Sequence, residues 1–509
     1  MSAPVALHEL IGRGEPDAVA IAAPGRAPMT HEGLRRQVSQ TADRLAQLGY
    51  GPADRIAIVL PNGPDMATAF VSIGAVLATA PLNPAYTADE FRFYLNDIGA
   101  AALVAAADEE GPAVAVAGEL GIAVLRLEAE DEAGAFTLAG EAVADARPAQ
   151  FGGSDATALL LHTSGTTSRP KLVPLSQANI CASAHNICEC LELTPRDRCL
   201  NVMPLFHIHG LMAAVLPSLA AGASVYCTPG FNALKFFGWL QGSGATWYTA
   251  VPTMHQTILD RAGRNEEIIN GLTLRFIRSS SASLAPQVMK RLEKMLSAPV
   301  IESYGMTEAA HQMASNPLPP LMRKPGSVGR PAGPDIALMD EDGHILGSAA
   351  TGEVVIRGDN VMTAYENNEK ANADAFTAGW FRTGDQGRFD SEGYLEITGR
   401  LKEIINRGGE KISPREVDEV LMDHAAVDQA VTFAVPHEKL GEDVAAVVVL
   451  RAGGRADERS LRDHAAEHLA PFKVPRTILI VDEIPKGPTG KLKRIGLAAT
   501  LGLEGTGSQ

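Results

Sequence analysis

The sequence predicts an α/β fold: a large N-terminal domain of layered, mainly parallel sheets with a small β-barrel-like part, then a small α+β C-terminal domain. Three observations predict it. Strand-like segments such as Ile56-Ala57-Ile58-Val59-Leu60 and Ala158-Leu159-Leu160-Leu161 are continuously apolar rather than alternating, which indicates burial on both faces of a parallel sheet. Helix-compatible runs lie between such segments, strand after helix, for most of the chain. The texture then changes, first at 326 and again near 402. A chain of 509 residues also exceeds what a single core holds, so division at about residue 400 into 1–400 and 401–509 is expected.

The elements follow in order. Strands are expected at 55–60, 101–105 and 122–127, with a helix at 66–78. A strand at 156–161 leads into a hydroxyl-rich loop. Further strands are expected at 199–203, 224–227, 246–250, 274–277 and 299–302, with helices at 211–219, 234–240 and 286–296. In such sheets ligands gather beyond the carboxyl ends of the strands. From 326 to 400, Gly and Asp punctuate short alternating runs, as in Gly352-Glu353-Val354-Val355-Ile356-Arg357-Gly358, and these carry the β-rich part. In the last unit, Ser413-Pro414 with Glu416 reads as a capping box opening a helix. Strands at 430–435, 444–450 and 477–481 and a helix at 459–469 complete it.

The net charge is −16, which argues against nucleic acid or an anionic membrane as the main partner. Small-molecule substrates are expected, and any anionic one needs a local cluster of donors. The five cysteines form no paired Cys-x-x-Cys spacing, so reduced thiols rather than a metal site are expected. There is no signal-peptide pattern and no apolar uncharged run of about 18 residues. A cytoplasmic protein is the expectation, and monomer and homodimer both stay open.

Between 163 and 171 the chain reads Thr163-Ser164-Gly165-Thr166-Thr167-Ser168-Arg169-Pro170-Lys171. Gly lets backbone N–H groups turn toward an anion, hydroxyls donate to phosphate oxygens, and Lys171 adds a compact positive charge. The spacing is not that of the Walker A loop. Taken alone, the run is a nucleotide-phosphate loop or a solvated Ser/Thr turn.

Five further stretches accompany it: Met203-Pro204-Leu205-Phe206-His207-Ile208-His209-Gly210, Tyr304-Gly305-Met306-Thr307-Glu308, Gly379-Trp380-Phe381-Arg382-Thr383-Gly384-Asp385, Gly399-Arg400-Leu401-Lys402 continuing to Gly408-Gly409-Glu410, and Pro485-Lys486-Gly487-Pro488-Thr489-Gly490-Lys491. In this order and spacing the six resemble the adenylate-forming acyl-CoA synthetases over nearly the whole chain. The resemblance implies ATP, Mg2+ and coenzyme A. A carboxylate attacks the α-phosphate of ATP to give an acyl adenylate and pyrophosphate, and the CoA thiol then displaces AMP. It implies that Thr163, Ser164, Gly165, Thr166, Thr167 and Lys171 hold phosphates. Ser281, Ala282, Ser283, Glu302, Ser303, Tyr304, Thr307, Asp385 and Arg400 would surround the nucleotide. Glu308 would hold the metal, and His207, Lys402 and Lys491 would join it in catalysis. The C-terminal domain would be mobile about a hinge at Lys402, exchanging Lys491 for the CoA-binding Gly408-Gly409 segment.

The acyl pocket departs from the family's usual Ser-Gly-Ala-Ala-Pro-Leu, reading Ser279-Ser280-Ser281-Ala282-Ser283-Leu284. The phosphate loop likewise lacks two of the family's glycines. With His209, His255 and His311, the residues Ser280 and Ser281 make a small pocket rich in donors, suited to a second carboxylate. The fine texture, including Thr167-Ser168-Arg169, resembles the oxalate–CoA ligases of this family, and oxalate is the expected acid. Malonate or another short acid is the alternative, although Ser303 stands where malonate–CoA ligases place an Arg. An adenylation module that loads a carrier protein is a second alternative, and no carrier domain follows by Gln509.

Overall fold

The computed structural model describes residues 5–163, 170–347, 350–485, 492 and 494–503. Two large sheets organise the N-terminal part. A seven-stranded sheet runs in the order Phe136–Ala139, Ala123–Ala129, Ala102–Ala106, Arg55–Val59, Ala78–Pro81, Thr157–Thr163 and Lys171–Ser176. A nine-stranded sheet carries Val300–Met306, Phe276–Ser279, Trp247–Ala250, Arg198–Asn201 and Ser224–Cys227 side by side, and these neighbours are parallel.

Alternate residues of these strands enter different cores, the physical reason their sequences are apolar throughout. Ile56, Ile58, Val104, Trp247 and Phe276 all join one core between the sheets, together with helices Pro64–Gly74 and Gln177–Cys190. Ala57, Val59 and Leu103 face outward under helix Ala88–Ile98. Tyr248, Ile277 and Val300 face the other way, under helices Phe236–Ser243, Pro252–Ala262 and Pro286–Leu296. The last of these begins on Pro286 and buries Val288, Leu292 and Leu296 at four-residue spacing, as an amphipathic helix should.

Some elements differ from expectation. The helix expected at 66–78 is Pro64–Gly74, and Ala78 already starts a strand. The Ala-rich run suits either state, and pairing with Arg55–Val59 decides it. The strand expected at 299–302 continues to Met306 because its second half pairs with His311–Ser315. The helix expected at 211–219 begins at Ile208 and passes through a wide π turn at Leu211–Val215.

The β-rich part is a five-stranded antiparallel sheet that includes Asp335–Met339, Thr351–Arg357, Trp380–Phe389 and Leu395–Arg400. The C-terminal part has its own five-stranded sheet and its own apolar core, with Val444, Ala446 and Val448 packed on Val417, Leu421 and Leu461. Ser413 caps helix Pro414–Asp423 by accepting from the Glu416 N–H. The Glu416 carboxylate does not complete the expected box, because Lys473 takes it at 2.7 Å. Arg415 ties this part to the rest through the carbonyls of Ile397 (2.8 Å) and Gly326 (3.2 Å).

Candidate active site

Thr163 and Lys171 close an antiparallel hairpin, facing each other in register. Residues 164–169 between them, including Ser164, Gly165, Thr166 and Thr167, lie outside the described residues, as does Lys491. Lys171 sits 4.2 Å from the centre of the Tyr365 ring, a cation–π contact. Tyr365 in turn donates its hydroxyl to Glu308 Oε1 at 2.8 Å. Burial raises the Glu308 carboxyl above its ordinary range, against the pull of that hydrogen bond, Lys171 and Arg400. Burial holds the Lys171 ammonium below its ordinary range; Glu308 opposes this, and Lys402 adds to it.

On the other side of Glu308, Asp385 receives the Tyr304 hydroxyl at 2.5 Å on one oxygen and faces Arg400 Nε at 3.1 Å with the other. The structure therefore brings Lys171, Glu308, Tyr304, Asp385, Arg400 and Lys402 to one place, from four separate stretches of chain. Thr307 opens the short turn that carries Glu308. Such mixed charge around buried carboxylates suits a polyanion with ribose hydroxyls.

A second group of side chains lies beyond the carboxyl ends of the parallel strands. His207 stands before the short helix Ile208–Gly210 and its Nδ1 accepts from the His209 N–H. His209 is fully buried. Its Nδ1 lies 2.9 Å from Ser281 Oγ and its Nε2 2.7 Å from Thr249 Oγ1. The His311 ring is 5.1 Å away, centre to centre. Three residues here hold left-handed backbones without being glycine: Ser281 (φ +73°), Ala310 (+45°) and His311 (+85°). Such conformations cost about 1–3 kcal/mol each and cluster at functional sites. Packing fixes them: Ser183 donates to the Ala310 carbonyl, and Asn360 to the carbonyls of Ala309 and Gln312. Gly305 is required beneath His311, since a Cβ there would stand 1.5 Å from the His311 carbonyl oxygen.

The other expected site residues divide. Ala282 and Ser283 are exposed on the turn that follows Ser281. Ser280 is buried and donates to the Ser303 carbonyl, so its hydroxyl fixes the pocket wall. Glu302 accepts from the Leu284 N–H at 3.0 Å, and Ser303 Oγ donates to the Ser279 carbonyl. Both side chains serve the strand ends. His255 stands apart from the His209–His311 group. It lies with Tyr248 on the other face of the sheet, 3.3 Å from the tyrosine hydroxyl. Burial pulls its pKa down to about 4. Gly408 (φ +62°) and Gly409 (+99°) form the tip of the hairpin joining Ile405–Arg407 to Glu410–Ile412. Their N–H groups bond the Leu440 carbonyl and Asn406 Oδ1.

Sequence reasoning misses Tyr365, which belongs to no motif, and Thr249, which lies in the expected strand 246–250 but carries no obvious chemistry. The five cysteines are free. Burial pushes the thiols of Cys181, Cys188 and Cys227 up to about 12 and that of Cys190 to about 11, and raises that of Cys199 well above its ordinary value. No helix among the described residues is long and apolar enough to cross a membrane.

Comparison with known proteins identifies the family. Residues 10–366 match the AMP-binding enzyme family and residues 416–491 its C-terminal domain. The oxalate–CoA ligase of Arabidopsis thaliana is 45% identical over 496 residues, covering 96% of each chain. That of Saccharomyces cerevisiae is 40% identical over 476 residues, covering 88% of this chain and 87% of the yeast protein. The sulfoacetate–CoA ligase of Cupriavidus necator is 34% identical, with 92% of each chain covered. The crystal structure of ATP-bound MatB from Rhodopseudomonas palustris superposes with a TM-score of 0.89 at 27% identity, covering 99% of this chain and 100% of that one. Fold and these similarities together define an acid–thiol ligase, an AMP-forming acyl-CoA synthetase with ATP and CoA as substrates. The chain belongs to the AMP-binding enzyme family, and the oxalate–CoA ligases are among its relatives.

Proposed function

We propose that the chain is an ATP-dependent oxalate–CoA ligase. The observation that carries this reading is the buried His209 clamped between Ser281 and Thr249, with His311 opposite. Both ring nitrogens of His209 are engaged by those hydroxyls, so it holds them in place, and the wall of imidazoles and hydroxyls on strained backbone is a polar surround suited to a compact polar acid. It offers nothing to a long acyl chain, and a buried polar group without a partner is costly. The names of the plant and yeast relatives support oxalate in particular. Malonate is disfavoured by Ser303, whose hydroxyl is turned into the strand and which supplies no charged fork.

In the first half-reaction Lys171 and Arg400 would steady the phosphates, Asp385 and Tyr304 the nucleoside, and the acid would attack the α-phosphorus in line. Glu308 fits a hard divalent cation, since it is a buried carboxylate among residues that would hold phosphates, whose oxygens would supply further ligands. When bound, Mg2+ would neutralise phosphate charge. Lys491, carried on the C-terminal segment, would stabilise charge developing at the α-phosphate. In the second half-reaction the Gly408-Gly409 turn would replace it, its bare backbone admitting the pantetheine arm. AMP release measured with oxalate, malonate, benzoate and octanoate, with and without CoA, tests the reading. CoA-dependent turnover of oxalate is expected, with benzoate and octanoate inactive. Faster turnover of octanoate than of oxalate would overturn it.

A further inference from the structure

Arg278 is fully buried in the strand Phe276–Ser279. Its partnering is unusual. Nη2 donates to Gln312 Oε1 at 2.8 Å, while Nε and Nη1 have no acceptor among the described residues. No carboxylate among the described residues pairs with it. The groups whose charge it would feel are the thiols of Cys190 and Cys199, and both are held protonated by burial. A buried guanidinium is normally matched by a carboxylate or by several acceptors. Here a single amide carbonyl does that work.

The position of this charge gives it meaning. Arg278 stands in parallel register with Thr249, so both side chains leave the same face of the sheet. Thr249 is the residue whose hydroxyl holds His209 Nε2. Gln312, the sole acceptor for the Arg278 side chain among the described residues, directly follows His311 in the sequence. The guanidinium therefore sits one layer behind the His209–Thr249 wall and is braced by the His311 strand. The side chains of that wall are imidazoles and hydroxyls, His209, His311, Ser281 and Thr249. In this dry setting a fixed charge acts over several ångströms with little screening.

We propose that Arg278 is a specificity-determining residue of the acyl pocket, supplying from behind the positive charge that selects an acid bearing a second anionic group. The inference deepens the oxalate reading and rests on it. On this reading the imidazoles and hydroxyls orient the acid, and the fixed charge behind them discriminates.

The test compares oxalate with oxamate, which carries a carboxamide in place of the second carboxylate at the same size. AMP formation is followed for the wild type, R278M and R278K, with KM for ATP as the control. The wild type should prefer oxalate by about 100-fold in kcat/KM, and R278M should lose about that factor through KM for oxalate. Oxamate turnover and KM for ATP should stay within about threefold, and R278K should recover roughly tenfold. Equal loss of both acids in R278M, or oxalate activity kept within about threefold, would overturn the assignment. Where R278M does not fold, the wild-type ratio and R278K decide, and a wild type indifferent between the two acids overturns it. Wild-type turnover of malonate or sulfoacetate but not oxalate would reject the oxalate reading alone, provided R278M loses those acids in the same way. Turnover of monocarboxylates only rejects both.

Discussion

Burial holds the Glu302 carboxyl up at about 7, and holds the His255 imidazole down at about 4. The two act oppositely on stability. Glu302 resists ionising in the fold, so its contribution is complete below its unfolded value of 4.5 and is lost as pH rises through about 7. His255 resists protonation, so its contribution is complete above 6.5 and is lost as pH falls toward about 4. Glu302→Gln keeps an acceptor for the Leu284 N–H and removes the first effect. Its melting temperature relative to wild type should therefore climb between pH 5 and pH 8, and a constant difference would reject the account. Full ionisation of Glu302 is worth on the order of 3 kcal/mol on this reckoning. Tyr365 affords a second expectation. Tyr365→Phe keeps the ring under Lys171 but removes the hydroxyl from Glu308, and should lower kcat/KM for ATP by about 10- to 100-fold. Initial-rate kinetics across ATP concentrations check it. His209, Glu308 and Asp385 are legible in the sequence because each sits in a short stretch with chemistry on its face. Tyr365 is not, since its role exists only where a distant segment folds back over Lys171.

The hairpin from Val300 to Ser315 sets the site at the next scale. Its register shifts at Tyr304 and Gly305, and the following turn carries Glu308 and the left-handed Ala310 and His311. Gly305→Ala would drive a methyl into the His311 carbonyl. The loss should exceed roughly 3 kcal/mol, seen as lost soluble yield or a collapsed melting temperature, with AMP formation abolished. A melting temperature within a degree or two of wild type would contradict the packing described. The first half of this hairpin is readable as a buried strand from its own residues. The second half is not, because its state depends on a partner strand whose register no local pattern announces. The same holds for 66–78, where an alanine-rich run is helix or strand according to what pairs with it. Elements whose capping and periodicity are local, such as Pro286–Leu296, are read correctly to the residue.

At the scale of the whole molecule, the C-terminal part meets the rest, among the described residues, through side chains bonded to backbone carbonyls: Arg415 to Ile397 and Gly326, Ser413 to Thr398, and Gln256 to Asp428. Such an interface permits rotation. Lys491→Ala should abolish adenylate formation yet largely spare thioester formation from supplied acyl adenylate, and Gly409→Val should do the reverse. Half-reactions measured separately check both, and equal loss in each would rule out alternation of the two segments. The order of parts along the chain is legible from changes in residue texture, whereas these contacts that join them are not, since they run to backbone carbonyls that every sequence possesses. The thiols complete the picture. A ligase that makes a mixed anhydride in its own interior risks being labelled by its product. Because all five cysteines stay protonated at neutral pH, none is a competent nucleophile toward it, and the activated acyl group is left for the one sulfur that arrives from outside.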